Sequence, residues 1–297
     1  MKHHRNLYMK AFFISFTIIL ISLPGILNAC VKAKDFSKVT VAGGSLTEVI
    51  YLLGLEKNLV AVDITSNFPE EATTLPSIGY VRALSAEGVL SLSPTLILGE
   101  NDMGPTAVIE QLNRVGIEIQ IIPEENSVDG VLKKVECIAD IFGVSESSKD
   151  LSLKNLKNEA EDLKNIAQIN MLSTKKVMFI LGMESGSPTV GGSGTSADGL
   201  IKMIGAKNVM DSFEGWKPVS TEAIIEASPD LILISNRGLS SFKTTEKLGA
   251  HPSLVFTPAS KNNNIIAMDG MAMLGFGPRT IFSAREIALY IKELENE

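Results

Sequence analysis

Histidine is scarce in this chain of 297 residues, occurring only as His3, His4 and His251. Two of the three fall at the extreme N-terminus, which leaves His251, in front of Pro252 in a loop, for the body of the protein. That excludes metal pockets built from several imidazoles and a Ser-His-Asp catalytic set. There are two cysteines, Cys30 and Cys137, too few for the disulfide framework that staples small secreted folds. Also missing are a Gly-x-x-x-x-Gly-Lys phosphate loop, a metal-spaced histidine pair and a Cys-x-x-Cys motif. Acidic residues outnumber basic ones by 34 to 27, a net charge of -7. No basic stripe with interleaved aromatics points to nucleic acid. After residue 30 no apolar run is long enough to span a bilayer.

The first thirty residues are different in kind. Lys2, His3, His4, Arg5 and Lys10 form a basic head, and residues 11–27 are almost wholly apolar. Leu27-Asn28-Ala29-Cys30 closes the run with small residues. This is the build of a secretory signal peptide over residues 1–29. The apolar run is broken by Pro24-Gly25 and is short for a membrane span. Cys30 stands where a bacterial lipoprotein carries its lipid-modified cysteine, although Asn28 is an unusual neighbour for that signal. A Cys30–Cys137 bridge is the alternative, and lipidation would exclude it. Cys137 otherwise reads as a small buried residue on a helix.

The rest of the chain repeats one plan. Residues 85–98 and 220–233 share serine, glutamate, Ser-Pro and Leu-Ile-Leu at a single offset. Ser85 to Ser220, Glu87 to Glu222 and Pro94 to Pro229 each step by 135 residues. In each copy serine caps a helix whose first turn carries an acid. Ser-Pro then stops the helix, and an apolar run makes a buried strand of parallel type. A second pair, residues 48–54 and 199–205, reads as amphipathic helices ended by Gly54 and Gly205. Each is followed by Lys-Asn.

Strands are expected over 38–42, 59–62, 118–122, 176–181 and 264–268. Helices are expected over 106–115, 128–142 and 284–294. Alternation of this kind defines an α/β protein with mostly parallel sheets. Residues 145–169 lack proline and glycine. Leu151, Leu153, Leu156, Ala160, Leu163 and Ile166 recur there at helical spacing, so one long helix is expected. The organisation is therefore an N-terminal lobe (30–144), a linking helix (145–170) and a C-terminal lobe (171–297). A ligand cleft lies between the lobes, and a single stiff linker implies only modest lobe closure on binding.

One stretch carries a more specific resemblance. Gly79-Tyr80-Val81-Arg82-Ala83-Leu84-Ser85-Ala86-Glu87-Gly88, together with 43–48, 63–66 and 275–280, resembles the periplasmic haem-binding proteins of bacterial haem ABC importers. The wider pattern is shared with binders of vitamin B12 and siderophores. The resemblance implies that Tyr80 is the axial ligand to ferric haem iron, a hard oxygen donor suited to Fe(III). It implies that Arg82 supports the phenolate or pairs with a haem propionate. Arg279, in the glycine-rich turn before the last helix, and Arg237, after a strand, are further propionate candidates. Some relatives add a second-lobe histidine. Residues 182–186 hold none, and Met183 is the weak thioether candidate there. Glu87 and Glu222 are implied to dock onto arginines of a two-fold permease dimer, itself driven by ATPase subunits.

The expected protein is thus an exported, monomeric haem carrier and not an enzyme, periplasmic or tethered at the cell surface through Cys30. A ferric-siderophore or corrinoid carrier is the alternative ligand reading. An enzyme in the interlobe cleft and a surface receptor or sensor without a permease are readings of another kind.

Overall fold

A computed structural model describes residues 30–169, 172–184 and 186–294. The signal peptide expected over 1–29 lies outside them. The N-terminal lobe runs β1 (Val39–Ala42), α1 (Gly44–Leu52), β2 (Leu59–Val62), α2 (Ala86–Leu90), β3 (Leu96–Gly99), α3 (Thr106–Arg114), β4 (Glu118–Ile121) and α4 (Val128–Ile141). The linker is α5 (Glu146–Ala167), a single helix of 22 residues capped by Ser145. The C-terminal lobe runs β5 (Lys176–Glu184), β6 (Ser187–Gly191), α6 (Ser196–Met203), β7 (Lys207–Asn208), β8 (Trp216–Pro218), α7 (Thr221–Ala227) and β9 (Leu231–Ser235). It continues through α8 (Asn236–Leu239), α9 (Thr245–Gly249), α10 (Pro258–Lys261), β10 (Ile265–Met268), α11 (Gly270–Leu274) and α12 (Pro278–Glu293).

The first sheet has the order β2-β1-β3-β4 and is parallel throughout. The second has the order β10-β9-β5-β6-β8, with β7 also on β5. Its β10-β9-β5 part is parallel, but β6 and β8 form an antiparallel meander. That meander is not in the sequence expectation. Its strands are short and lack the long apolar runs of the parallel core.

The repeat persists down to single hydrogen bonds. Thr95 N–H donates to Lys38 O at 2.9 Å, and its counterpart Asp230 N–H donates to Lys176 O at 2.7 Å. The side chains return the bond: Lys38 N–H to Thr95 Oγ1 at 3.1 Å and Lys176 N–H to Asp230 Oδ2 at 2.9 Å. Ser93 and Ser228, each in front of its proline, both take left-handed φ, 49° and 53°. Gly54 and Gly205, closing α1 and α6, do the same at 69° and 74°, the conformation a helix C-terminus favours and a side chain resists.

One apolar core joins the lobes. It takes Leu98 and Val41 from the first sheet, Phe179 and Leu233 from the second, and Leu153, Leu156 and Leu163 from α5. Leu151 does not join it and is 75% exposed. The last helix begins at Pro278, earlier than the expected 284, and turns back across the molecule. Ile281, Ala284, Ile287 and Ile291 are buried on it, and it packs on α5, α1 and α4. Arg285 adds pairs to Glu159 at 3.4 Å and Asp162 at 3.6 Å on α5. α12 also packs on α11 and α6, so it touches elements of both lobes.

Cys137 is buried on α4 as expected, but it is not a free thiol: it is disulfide-bonded to Cys30. A sulfur so bonded has no valence left for a thioether. In this structure the lipid-anchor candidate at Cys30 is replaced by a bridge.

Candidate functional site: the interlobe cleft

Loops at the carboxyl ends of the two sheets meet. Asp63, at the end of β2, is buried and organises the loop that follows. It accepts from Gly43 N–H at 3.1 Å, Thr65 N–H at 3.2 Å and Ser66 Oγ at 3.1 Å. The loop so held presents Ile64 (64% exposed) and Phe68 (44%). From the other lobe, Asp269 follows β10 and lies 3.5 Å from Asn67 Nδ2.

Tyr80 sits beside this loop, pinned from both sides. Ile64 N–H donates to Gly79 O at 2.9 Å, and Gly104 N–H donates to Val81 O at 2.9 Å. Gly79 takes φ 88°, which a residue with a side chain resists. Residues 80–83 form a tight turn closed by Ala83 N–H on Tyr80 O at 2.7 Å. The turn brings Tyr80 and Arg82 side by side. Arg82 Nη1 donates to the Tyr80 phenol oxygen at 3.0 Å, and its Nε donates to Asp102 Oδ2 at 2.6 Å. Asp102 was not among the sequence candidates. It lies 20 residues from Arg82 and is brought close by the turn after β3. The bond from the guanidinium to the phenol oxygen is charge-assisted.

Behind this triad lies a buried polar chain. Ser45 Oγ donates to Glu100 Oε1 at 2.6 Å and accepts from Lys134 Nζ at 2.8 Å, while Lys134 pairs with Glu124 at 3.2 Å. Burial, then the charge of Glu124, push the Glu100 carboxyl up to about 7, against the pull of Lys134.

Arg279, a propionate candidate, is engaged within the protein. Its Nε and Nη2 grip Glu48 Oε1 at 2.9 and 2.7 Å. Its Nη1 reaches Asp269 at 3.1 Å, and its guanidinium lies 4.2 Å over the Phe68 ring. Each of its three nitrogens is thus turned to a carboxylate of the protein itself. Arg279 is a clasp between α1 of one lobe and the β10–α11 turn of the other. Burial raises the Glu48 pKa, opposed by its bonds to Arg279. Met183, the weak thioether candidate, lies in the second sheet. It pairs with Pro188 in the β5–β6 hairpin and packs against the cluster of Met178, Ile180 and Val190. Arg237, the other propionate candidate, is exposed two residues after Ser235, which pairs with Met268. Leu181, 43% exposed on β5, lies beside Gly238, the residue after Arg237.

Glu87 and Glu222 sit at equivalent places, second in α2 and α7, both exposed. Ser85 Oγ accepts from Gly88 N–H, and Ser220 Oγ from Ala223 N–H, each at 3.3 Å. The Glu222 backbone N–H, with Ser220, lowers its carboxyl pKa.

Two α/β lobes on a helical spine, with a ligand cleft between their sheet ends, define a solute-binding protein. Residues 39–272 match the model of the periplasmic binding protein family, and the chain belongs to that family. Its fold is similar to the periplasmic heme-binding protein HutB of Vibrio cholerae, with 35% identity, a TM-score of 0.77, and 86% of this chain and 99% of that one covered. It is 28% identical to YvrC of Bacillus subtilis (strain 168), an uncharacterized ABC transporter substrate-binding lipoprotein, over 86% of this chain and 80% of that one. It is 24% identical to a vitamin B12-binding protein of Photorhabdus laumondii, over 84% and 86%. The protein is a substrate-binding component of an ABC importer, in a family of solute carriers and not of enzymes.

Proposed function

We propose that the protein is exported, binds haem in the interlobe cleft with Tyr80 on the ferric iron, and delivers it as a single copy to a permease dimer with its ATPase subunits. The observation that carries this reading is the Tyr80–Arg82–Asp102 arrangement at the cleft, a phenol held by a guanidinium that is itself held by a carboxylate. Ile64, Phe68 and Leu181 offer exposed apolar surface of the kind a porphyrin face covers. Arg237 is the propionate partner, since a guanidinium matches a carboxylate in geometry and charge. Glu87 and Glu222 engage the two permease subunits.

An absorbance titration of the mature protein with ferric haem tests this directly. A saturable Soret shift with a tyrosinate charge-transfer band, absent in Tyr80→Ala, supports it. No saturable change with haem, combined with binding of a cobalamin, replaces haem by a corrinoid and leaves the carrier role in place.

A further inference from the structure

Residues 30–36 form no helix or strand, yet Cys30, Val31, Ala33, Lys34 and Phe36 are each tied to the N-terminal lobe. Cys30 is bonded to Cys137 on α4, 107 residues away. Gln120 Nε2 donates to Val31 O at 2.8 Å. Ala33 is buried and its N–H donates to Ile141 O at 2.9 Å. Lys34 N–H donates to Glu118 Oε2 at 3.0 Å. The Phe36 ring lies 5.3 Å from that of Phe142, and Asn58 Nδ2 donates to Phe36 O at 3.0 Å. The segment is a strap laid along β4 and the C-terminal half of α4.

We infer that Cys30 is oxidised with Cys137 in the exported protein, so that its sulfur locks this strap and carries no lipid. The inference rests on export but not on the identity of the ligand. Two thiols give up two protons and two electrons to the disulfide of an envelope thiol oxidoreductase, which leaves as a dithiol, while the new S–S bond stays in the carrier. Such bonds form after export, because the cytosol keeps thiols reduced.

The strap also argues physically against an anchor at this position. A lipid on Cys30 leaves residues 31 and 32 as the only tether before the buried Ala33. Two extended residues span about 7 Å, roughly the depth of one headgroup layer. The α4 face would be pressed to the membrane with no freedom to turn the cleft toward a permease. The bridge closes a long loop, the arrangement in which a crosslink restricts the unfolded chain most.

The test uses the full-length gene expressed in a bacterial host, followed by fractionation and intact mass of the envelope protein. The expected product has a mass two hydrogens below the reduced chain and no acyl mass, and takes up thiol-alkylating reagent only after reduction. Cys30→Ser and Cys137→Ser each lower the melting temperature by a similar amount, and the double variant lowers it no further. Free thiols in the exported protein, a diacylglyceryl mass on Cys30, or additive losses from the two variants overturn the inference. If fractionation finds the chain in the cytosol, the export reading falls. Air oxidation of that purified protein then decides the pairing, and failure to form an intramolecular bridge overturns it.

Discussion

Ser45 stands between an acid and a base: its hydroxyl donates to Glu100 at 2.6 Å and accepts from Lys134 at 2.8 Å. Glu100 is buried beside Glu124 and within the field of Asp102, and its carboxyl titrates at about 7. The folded protein therefore holds this proton more tightly than the unfolded chain, whose glutamates titrate near 4.3. The sign follows from linkage. This group's stabilising effect is complete below the unfolded pKa and is lost as pH rises to about 7. Denaturant unfolding at pH 5 and pH 8 should show the loss, and Glu100→Gln should flatten it. At pH 8 the variant is expected to be more stable by on the order of 3–4 kcal/mol.

Asp102 is joined to Tyr80 through Arg82. Asp102→Asn removes the charge that orients the guanidinium but leaves Tyr80 in place. Haem affinity should fall about tenfold or more, the worth of a charge-assisted hydrogen bond, with the tyrosinate band shifted and the melting temperature little changed. Arg82→Lys should resemble it, because an ammonium does not reproduce the two-sided contact. Tyr80→Phe should abolish the band altogether. A band unaltered in Asp102→Asn would remove Asp102 from the site.

The Arg279 clasp belongs to stability. Arg279→Ala leaves Glu48, with a side chain 4% exposed, without its counter-charge. Breaking one side of a buried pair costs about 3–5 kcal/mol. A matching fall in unfolding free energy is expected, with haem stoichiometry intact in whatever protein remains folded. Glu48→Gln combined with Arg279→Met should recover part of the loss.

Charge reversal at Glu87 and Glu222 should separate delivery from binding. Both variants are expected to bind ligand as the parent does and to fail in uptake by cells that depend on the transporter. The double reversal should be at least as severe as either alone. Reduced ligand affinity in these variants would move the two acids into the binding site.

The sequence makes the two-lobe plan legible because its signals are local. A serine cap, an acid in the first turn and a proline stop recur in order, and the backbone honours the repeat down to the left-handed Ser93 and Ser228. Tyr80 is legible through its motif. What the sequence hides is contact over distance. Arg279 finds Glu48 across 231 residues, and no periodicity encodes that meeting; the Cys30–Cys137 bridge is legible only as the alternative to a lipid, because the chain holds just two cysteines. The β6–β8 meander escapes because its strands are short and mixed in polarity. Arg279 looks like a ligand residue because a glycine-rich turn before a helix suits a binding loop equally well as an interlobe joint.

The returning helix α12 bears on the protein's integrity as a single object. The lobes are joined covalently once, through α5, and a second time by α12 lying on α5, α1 and α4. A nick between α5 and β5 would cut the only peptide tie yet leave the second seam sewn. The two halves, produced as separate chains, should each be incomplete and should find one another, reassembling a carrier from two pieces. Its unfolding should accordingly be one event for both lobes.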